Sequence, residues 1–347
     1  MSSSHAKTAV PPGPVDAPAV LLCGYGPVGR AYAERLGARG DELADAHGVR
    51  PTLAAVRVGS AQVVLRGGDA VPDRSHWAPL EPLEHVLERT GARVLVQALP
   101  SSPRARQQAA EEAGLALRRG VHVVTATKSH LLSHWRELGE AARAGRSLIR
   151  ISGATGAALP TADLARTGVR GLGCRSIRAC PNGTATFVLD RLAAGESLEE
   201  AVREAQVRGI AEADPSADLS GADAATKVRL LAALLWGWDP STVHVSTEAV
   251  DEQAGREAVA AAARGLRLRA VATASADRPR TVEVRLERTV PGDPLHALTG
   301  PEKAVVYGCP DAGDITVSGG RSSPLGAALA LVRDTLDVTA PRPFGFG

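Results

Sequence analysis

At 347 residues the chain is long enough for two ordinary domains, each able to bury its own core. Hydrophobic residues make up 44% of it and mean hydropathy is near zero, which excludes a disordered polymer. The longest apolar run, "LLAALLWGW", falls short of the roughly 20 residues of a membrane span, and a net charge of +2 with 3% aromatics argues against a nucleic-acid surface.

The leader of residues 1–18, "MSSSHAKTAVPPGPVDAP", is small, polar and proline-rich, and is expected to stay loose. It lacks the apolar core of a secretory signal, so the protein reads as cytoplasmic. A first strand is predicted near Ala19, followed by "GYGPVGRAYAERL". There Gly24, Gly26 and Gly29 spell GxGxxG between a strand and a helix, with Pro27 and Val28 inside the turn. The first glycine permits the tight turn, the second lets a pyrophosphate approach the backbone, and the third lets helix pack on sheet. These five residues are candidate cofactor ligands.

A second strand near Thr52 ends in "AAVRVGSAQ", without the acidic residue that would hold a ribose 2′-hydroxyl. Arg57 and Ser60 are then either partners of a 2′-phosphate, which favours NADP over NAD, or plain surface residues. Further strands near Arg93, His122 and Ser147 are separated by helical stretches over Arg104–Arg119 and His130–Ala144. Such alternation predicts an α/β fold with a Rossmann-type doubly wound parallel sheet.

After Gly153 the pattern changes to that of a second α/β unit. The strand-like "CRSIRAC" leads through Asn182, Gly183 and Thr184 into a helix. The next helix, "SLEEAVREAQVRG", opens on a capping box of Ser197 and Glu200 and ends at Gly209. An acidic loop carries Glu212, Asp214 and Asp218, and a third helix follows with Ala224, Val228, Leu231 and Leu235 as its apolar stripe. Beyond Ser241, short strands such as "TVEVRLE", "AVVYG" and "DITVS" predict an antiparallel sheet before a last helix at "PLGAALALVRDTLDV". Cys23, Cys174, Cys180 and Cys309 have neither disulfide-framework nor zinc spacing and read as small buried residues.

Of 40 basic residues only Lys7, Lys128, Lys227 and Lys303 are lysines. An ammonium can shift its pKa and transfer a proton, which a guanidinium effectively cannot. Lys128 follows "VHVVTAT" at the carboxyl end of a predicted parallel strand, the edge where doubly wound sheets bind ligands. Lys227 lies four residues after Asp223, on the same helix face. Taken alone this is a surface ion pair of a few tenths of a kcal/mol. With an apolar stripe beside it and three carboxylates before it, the pair suits a small zwitterionic ligand. Two lysines converging there are expected to depress each other's pKa and to serve in general acid catalysis.

Past the leader the chain resembles homoserine dehydrogenases. The resemblance is carried by "GYGPVGR", "VQALPSSP", "GVHVVTATKSHLL", "NGTATFVL" and "SLEEAVREAQVRGIAEADPSADLSGADAATK", then by the late "KAVVYGCPDAGDITVSGG". It implies Lys227 as proton donor and Lys128 as second active-site lysine, with Asp223 beside them. It further implies Gly209, Glu212, Asp218, Gly183 and Thr184 as substrate contacts, and Ser101, Ser102, Lys128 and Gly319 near the cofactor. The implied reaction interconverts L-homoserine and L-aspartate 4-semialdehyde with NAD or NADP, in threonine and methionine biosynthesis. The expected organisation is a cofactor domain of residues 19–150 completed by 320–340, and a catalytic and dimerising domain of 151–319, giving a homodimer. No membrane or nucleic-acid partner is expected, and no C-terminal sensing domain.

Several positions depart from the family pattern. Thr127 replaces the asparagine of Ala-Asn-Lys, and Ser152 replaces a glutamate that helps bind a monovalent cation, so no metal is expected. The late glycine loop reads "GGRSS", with Arg321 in place of a glycine. These departures motivate two other readings: a reductase of a different amino-acid semialdehyde, and a non-catalytic homologue that has lost cofactor binding.

Overall fold

A computed structural model describes residues 15–66, 68–320 and 323–340. In the first half β1 (Ala19–Cys23), β2 (Thr52–Arg57), β3 (Ala61–Val64), β4 (Ala78–Pro79), β5 (Val94–Gln97), β6 (His122–Thr125) and β7 (Ile149–Arg150) form one sheet, in the order β4-β3-β2-β1-β5-β6-β7. Strands β2, β1, β5, β6 and β7 are parallel; β3 and β4 add an antiparallel edge. The apolar runs fit strands covered on both faces, with alternate residues facing opposite layers. Val20 and Leu22 pack with Tyr32 and Leu36 of the first helix, whereas Leu21 and Cys23 pack with Ala113 and Leu117 on the other side.

The last helix, Pro324–Thr339, returns to this sheet, where Leu331 and Val332 join the Val20 and Leu22 layer. The Tyr32 hydroxyl meets Thr335 Oγ1 at 2.9 Å, tying the first helix to the last. The helix expected over His130–Ala144 is broken into Ser129–Ser133 and Trp135–Ala144. Ser133 Oγ bonds the Ser129 carbonyl and lies 2.9 Å from His134 Nδ1, a local bonding pattern that competes with a continuous helix.

The second unit is built on β8 (Ser176–Cys180), β9 (His244–Thr247), β10 (Arg267–Ser275), β11 (Arg278–Thr289), β12 (Lys303–Gly308) and β13 (Ile315–Gly319), in the order β13-β12-β8-β10-β11-β9. It is antiparallel except that β9 runs parallel to β11. The β10–β11 hairpin is longer than the short strands read from the sequence. Its alternation explains the length: Val282 and Val284 are buried, with Glu283 and Arg285 on the other face. The helix Ala222–Trp236 lays Ala224, Val228 and Leu231 on this sheet, while Leu230 packs into the core of the first unit.

The capping box at Ser197 is formed, and Gly209 sits just past its helix at φ 67°. The acidic segment is not wholly a loop. Asp214 Oδ1 accepts the Ser216 amide at 3.0 Å, and one helical turn, Ser216–Leu219, follows.

Candidate active site

The carboxyl ends of β5 and β6 open onto a cleft of about 780 Å³ between the two units. The first unit, with the last helix, contributes Val28, Ser101, Ala126, Lys128 and Pro324; the second contributes Thr184, Gly209, Glu212, Asp218, Asp223 and Lys227. The predicted lysines therefore do converge, and they converge on one carboxylate. Lys227 Nζ lies 2.6 Å from Asp223 Oδ2, and Lys128 Nζ lies 2.7 Å from Asp223 Oδ1. Lys227 also donates to the Pro181 carbonyl at 2.9 Å. With side chains 13% and 10% exposed, Lys227 and Asp223 are not the surface pair that spacing alone allows.

Asn182 completes the group. Its Oδ1 caps the helix Gly183–Ala193 by accepting the Ala185 amide at 3.0 Å, while its Nδ2 donates to Asp223 Oδ2 at 2.8 Å and Asp218 Oδ1 at 2.6 Å. The sequence signalled Asn182 only as a cap. Burial pushes the Asp223 carboxyl up, yet Lys227 and then Lys128 outweigh it and hold the group well below the usual carboxylate range. Burial pulls Lys128 down, but Asp223, followed by Asp218 and Glu212, raises it above an ordinary lysine. The expected depression of Lys128 is thus corrected: the intervening carboxylate dominates the like-charge neighbour.

Glu212 stands exposed at the rim, with its main-chain carbonyl accepting from Gln206 at 3.3 Å. The Thr184 hydroxyl donates to the Ile210 carbonyl at 3.2 Å, fixing the loop that follows Gly209. Gly183 lies behind the cleft wall, where a Cβ would sit 2.4 Å from the Pro301 carbonyl oxygen. Lys303, noticed in the sequence only for the rarity of lysine, also reaches the cleft. It is 2% exposed, and burial, then Lys227, pulls its ammonium down to about 7.

The glycine turn fits a dinucleotide. Gly24 has φ 99°, and a Cβ there would lie 2.3 Å from the Ala98 carbonyl oxygen. A Cβ on Gly29 would lie 2.1 Å from the Gly24 carbonyl oxygen, whereas one on Gly26 would meet nothing within 4 Å. Gly24 and Gly29 are therefore fixed by the fold, and Gly26 leaves open space beside the helix that Pro27 begins. Ser102 Oγ caps the next helix by accepting the Ala105 amide, leaving Ser101 as the serine that lines the cleft. Gly319 ends β13 at φ 100°, while Arg321 lies outside the described residues.

Arg57 does not occupy the position expected of a 2′-phosphate ligand. It is 6% exposed and donates to Gln62 Oε1 and, at 3.0 Å, to the Glu81 carbonyl, whereas Ser60 stays exposed. Its strand turns the guanidinium inward, a direction composition could not reveal. Thr127 has a structural role, since its hydroxyl accepts the Leu99 amide at 2.9 Å and donates to the Leu99 carbonyl at 3.2 Å. Ser152 presents no carboxylate for a cation, and both its amide and hydroxyl donate to Asp334, at 2.9 and 2.7 Å. The residues present therefore do not fit a glutamate-held cation at this position.

The family model for homoserine dehydrogenase matches residues 160–336. The chain is 30% identical over 262 residues to an NAD(+)-dependent homoserine dehydrogenase of Pseudomonas canavaninivorans, covering 74% of this chain and 73% of that protein. It is 28% identical over 320 residues to a homoserine dehydrogenase of Sulfurisphaera tokodaii, covering 91% and 97%. A solved homoserine dehydrogenase from Thiobacillus denitrificans shares the fold with a TM-score of 0.77 and 23% identity, over 93% of this chain and 73% of that one. A hyperthermophilic archaeal homoserine dehydrogenase solved in complex with NADPH gives 0.74 and 23%, over 93% and 98%.

Proposed function

We infer the function from one premise: the chain belongs to the homoserine dehydrogenase family. It is an NAD(P)-dependent oxidoreductase acting on a CH-OH group, interconverting L-homoserine and L-aspartate 4-semialdehyde. The observation that carries the site assignment is the convergence of Lys128 and Lys227 on Asp223 in the cleft.

The chemistry that a bound nicotinamide would supply is hydride exchange with the substrate carbon. Lys227 holds the proton that the carbonyl oxygen takes up in reduction, and receives it back in oxidation. Asp223 and the Pro181 carbonyl fix the direction in which Lys227 points. Lys128, on the other Asp223 oxygen, adds positive charge where an alkoxide develops. Glu212 and Asp218 hold the substrate ammonium, and the Gly183 and Thr184 turn with Gly209 shapes the same pocket. The glycine turn of residues 24–29, with Ser101, holds the dinucleotide.

We read residues 19–150 with 320–340 as the cofactor unit and 151–319 as the catalytic unit. The last helix supports this by sharing its core with β1. We also read the protein as a cytoplasmic homodimer joined through the second unit, an assignment resting on family resemblance and checked by light scattering. No helix among the described residues is long and apolar enough to cross a membrane.

The direct test is oxidation of L-homoserine with NAD and with NADP, by wild type and Lys227→Met. The variant should lose about 100-fold or more in kcat, the usual contribution of a general acid, while NADPH binding followed by fluorescence is retained. Wild-type turnover by a folded Lys227→Met protein would remove Lys227 from the chemistry.

A further inference from the structure

Lys303 begins β12 and lines the cleft. Its Nζ donates to the Gly156 carbonyl at 2.9 Å, and among the described residues no carboxylate pairs with it. Beside it lies a narrow, largely apolar space without room for a water, walled by Leu159, Pro181, Leu231 and Val305 with Thr155 and Thr161. The Thr155 and Thr161 hydroxyls lie 3.1 Å apart in that wall. A buried ammonium bonded to a main-chain carbonyl oxygen, with no carboxylate partner, acts on that oxygen as a small monovalent cation would, rather than as half of an ion pair.

The turn that this ammonium touches needs holding. Ala157 has φ 53°, a left-handed conformation unfavourable for a residue with a Cβ. Gly156 is packed so closely that a Cβ would lie 2.2 Å from the Leu159 carbonyl oxygen. Gly153 to Ala157 together line the cleft, so a shift of this turn would move one wall of the site. At the head of the same segment, Ser152 is engaged by Asp334.

We propose that Lys303 is a positioning residue whose ammonium is a built-in monovalent cation, clamping the Gly156–Ala157 turn and removing any need for an inorganic one. Wild-type turnover is then the same in sodium, potassium and tetramethylammonium chloride at equal ionic strength. Lys303→Ala leaves the Gly156 carbonyl without its charged donor and lowers kcat/KM by about tenfold to a hundredfold, the scale of losing a hydrogen bond from a charged group. Methylammonium or potassium restores that loss, whereas tetramethylammonium, too large and without N–H donors, does not. Lys303→Met refills the space without charge, so its loss is not restored by any of these ions.

The assays are run below about pH 7, where Lys303 carries its charge. Thermal melting gives a readout independent of the reaction: methylammonium should raise the melting temperature of Lys303→Ala but not that of wild type. A wild-type requirement for sodium or potassium overturns the proposal. So does undiminished turnover by either variant, or a folded Lys303→Ala whose loss none of the small cations restores. If Lys303→Ala does not fold, the turnover of Lys303→Met and the ion-independence of wild type decide the matter. The activity arm rests on the homoserine reading; a wild type inactive on homoserine overturns that reading, and melting then tests the clamp separately.

Discussion

Replacing Asp223 by asparagine keeps the shape of the side chain but removes the charge on which two lysines meet. The structure gives Asp223 charge-assisted contacts of 2.6 Å to Lys227 and 2.7 Å to Lys128, plus the Asn182 amide at 2.8 Å. Breaking a buried pair by removing one partner costs about 3–5 kcal/mol. Lys128 is 32% exposed and partly screened, which brings the expectation to the lower end, about 3 kcal/mol. The lost orientation of Lys227 should lower kcat by about 100-fold.

The pH dependence supplies a sharper test of the same substitution. Reduction of the aldehyde also uses the positive charge that Lys128 places beside the developing alkoxide, so the rate falls as pH rises through the Lys128 pKa. For Lys128 that value lies above the ordinary 10.5 because Asp223, Asp218 and Glu212 outweigh burial. Without Asp223 the alkaline limb should move to lower pH. The stability contributed by the depressed Asp223 is present above its unfolded pKa of about 3.9 and is lost as pH falls through the folded value. The share from the raised Lys128 is present below about 10.4 and is lost as pH rises through its folded pKa. The stability gap between wild type and Asp223→Asn should therefore be flat from about pH 5 to about pH 9. Denaturant unfolding and initial rates across that range measure both. A gap within about 0.5 kcal/mol, the scatter of ordinary surface substitutions, with unchanged kcat, would refute the reasoning.

Asp334 should make folding less favourable as pH rises. Burial raises its carboxyl from 3.8 to about 6 despite the Ser152 bonds, so its stabilising share is complete below 3.8 and lost as pH rises through 6. That is about 2 kcal/mol between pH 4 and pH 7, absent in Asp334→Asn and visible in urea melts of the two proteins. Gly24→Ala and Gly26→Ala should fail differently: the first forces a Cβ against the Ala98 carbonyl oxygen at positive φ and lowers the melting temperature. The second should melt like wild type yet bind NADPH more weakly in a fluorescence titration. Arg57→Gln should cost about 1–3 kcal/mol of stability through its lost bonds to Gln62 and Glu81. It should leave the ratio of NADP to NAD kcat/KM unchanged; a switch in that ratio would return Arg57 to the cofactor site.

Much was legible in the chain because it depends on neighbours in sequence. Apolar runs between turns placed the parallel strands, the Gly24–Gly29 turn announced its own backbone demands, and the Ser197–Glu200 capping box formed as its spacing requires. The pairing of Asp223 with Lys227 follows from helix periodicity alone. The scarcity of lysine also singled out Lys303, without saying where its ammonium goes.

Other relations were settled only when distant segments met. Lys128 reaches Asp223 across 95 positions, Ser152 finds Asp334 across 182, and Lys303 finds Gly156 across 147. Arg57 is turned onto Gln62 and the Glu81 carbonyl by the way β2 and β3 pair at the sheet edge. In each case a side chain's charge state or direction is set by which atoms surround it after packing. Local pattern fixes which residues share a helix or strand face, but only tertiary contact fixes what that face meets. A carboxylate between two ammoniums raises Lys128 where two lysines alone would have lowered each other, and that geometry comes from the fold.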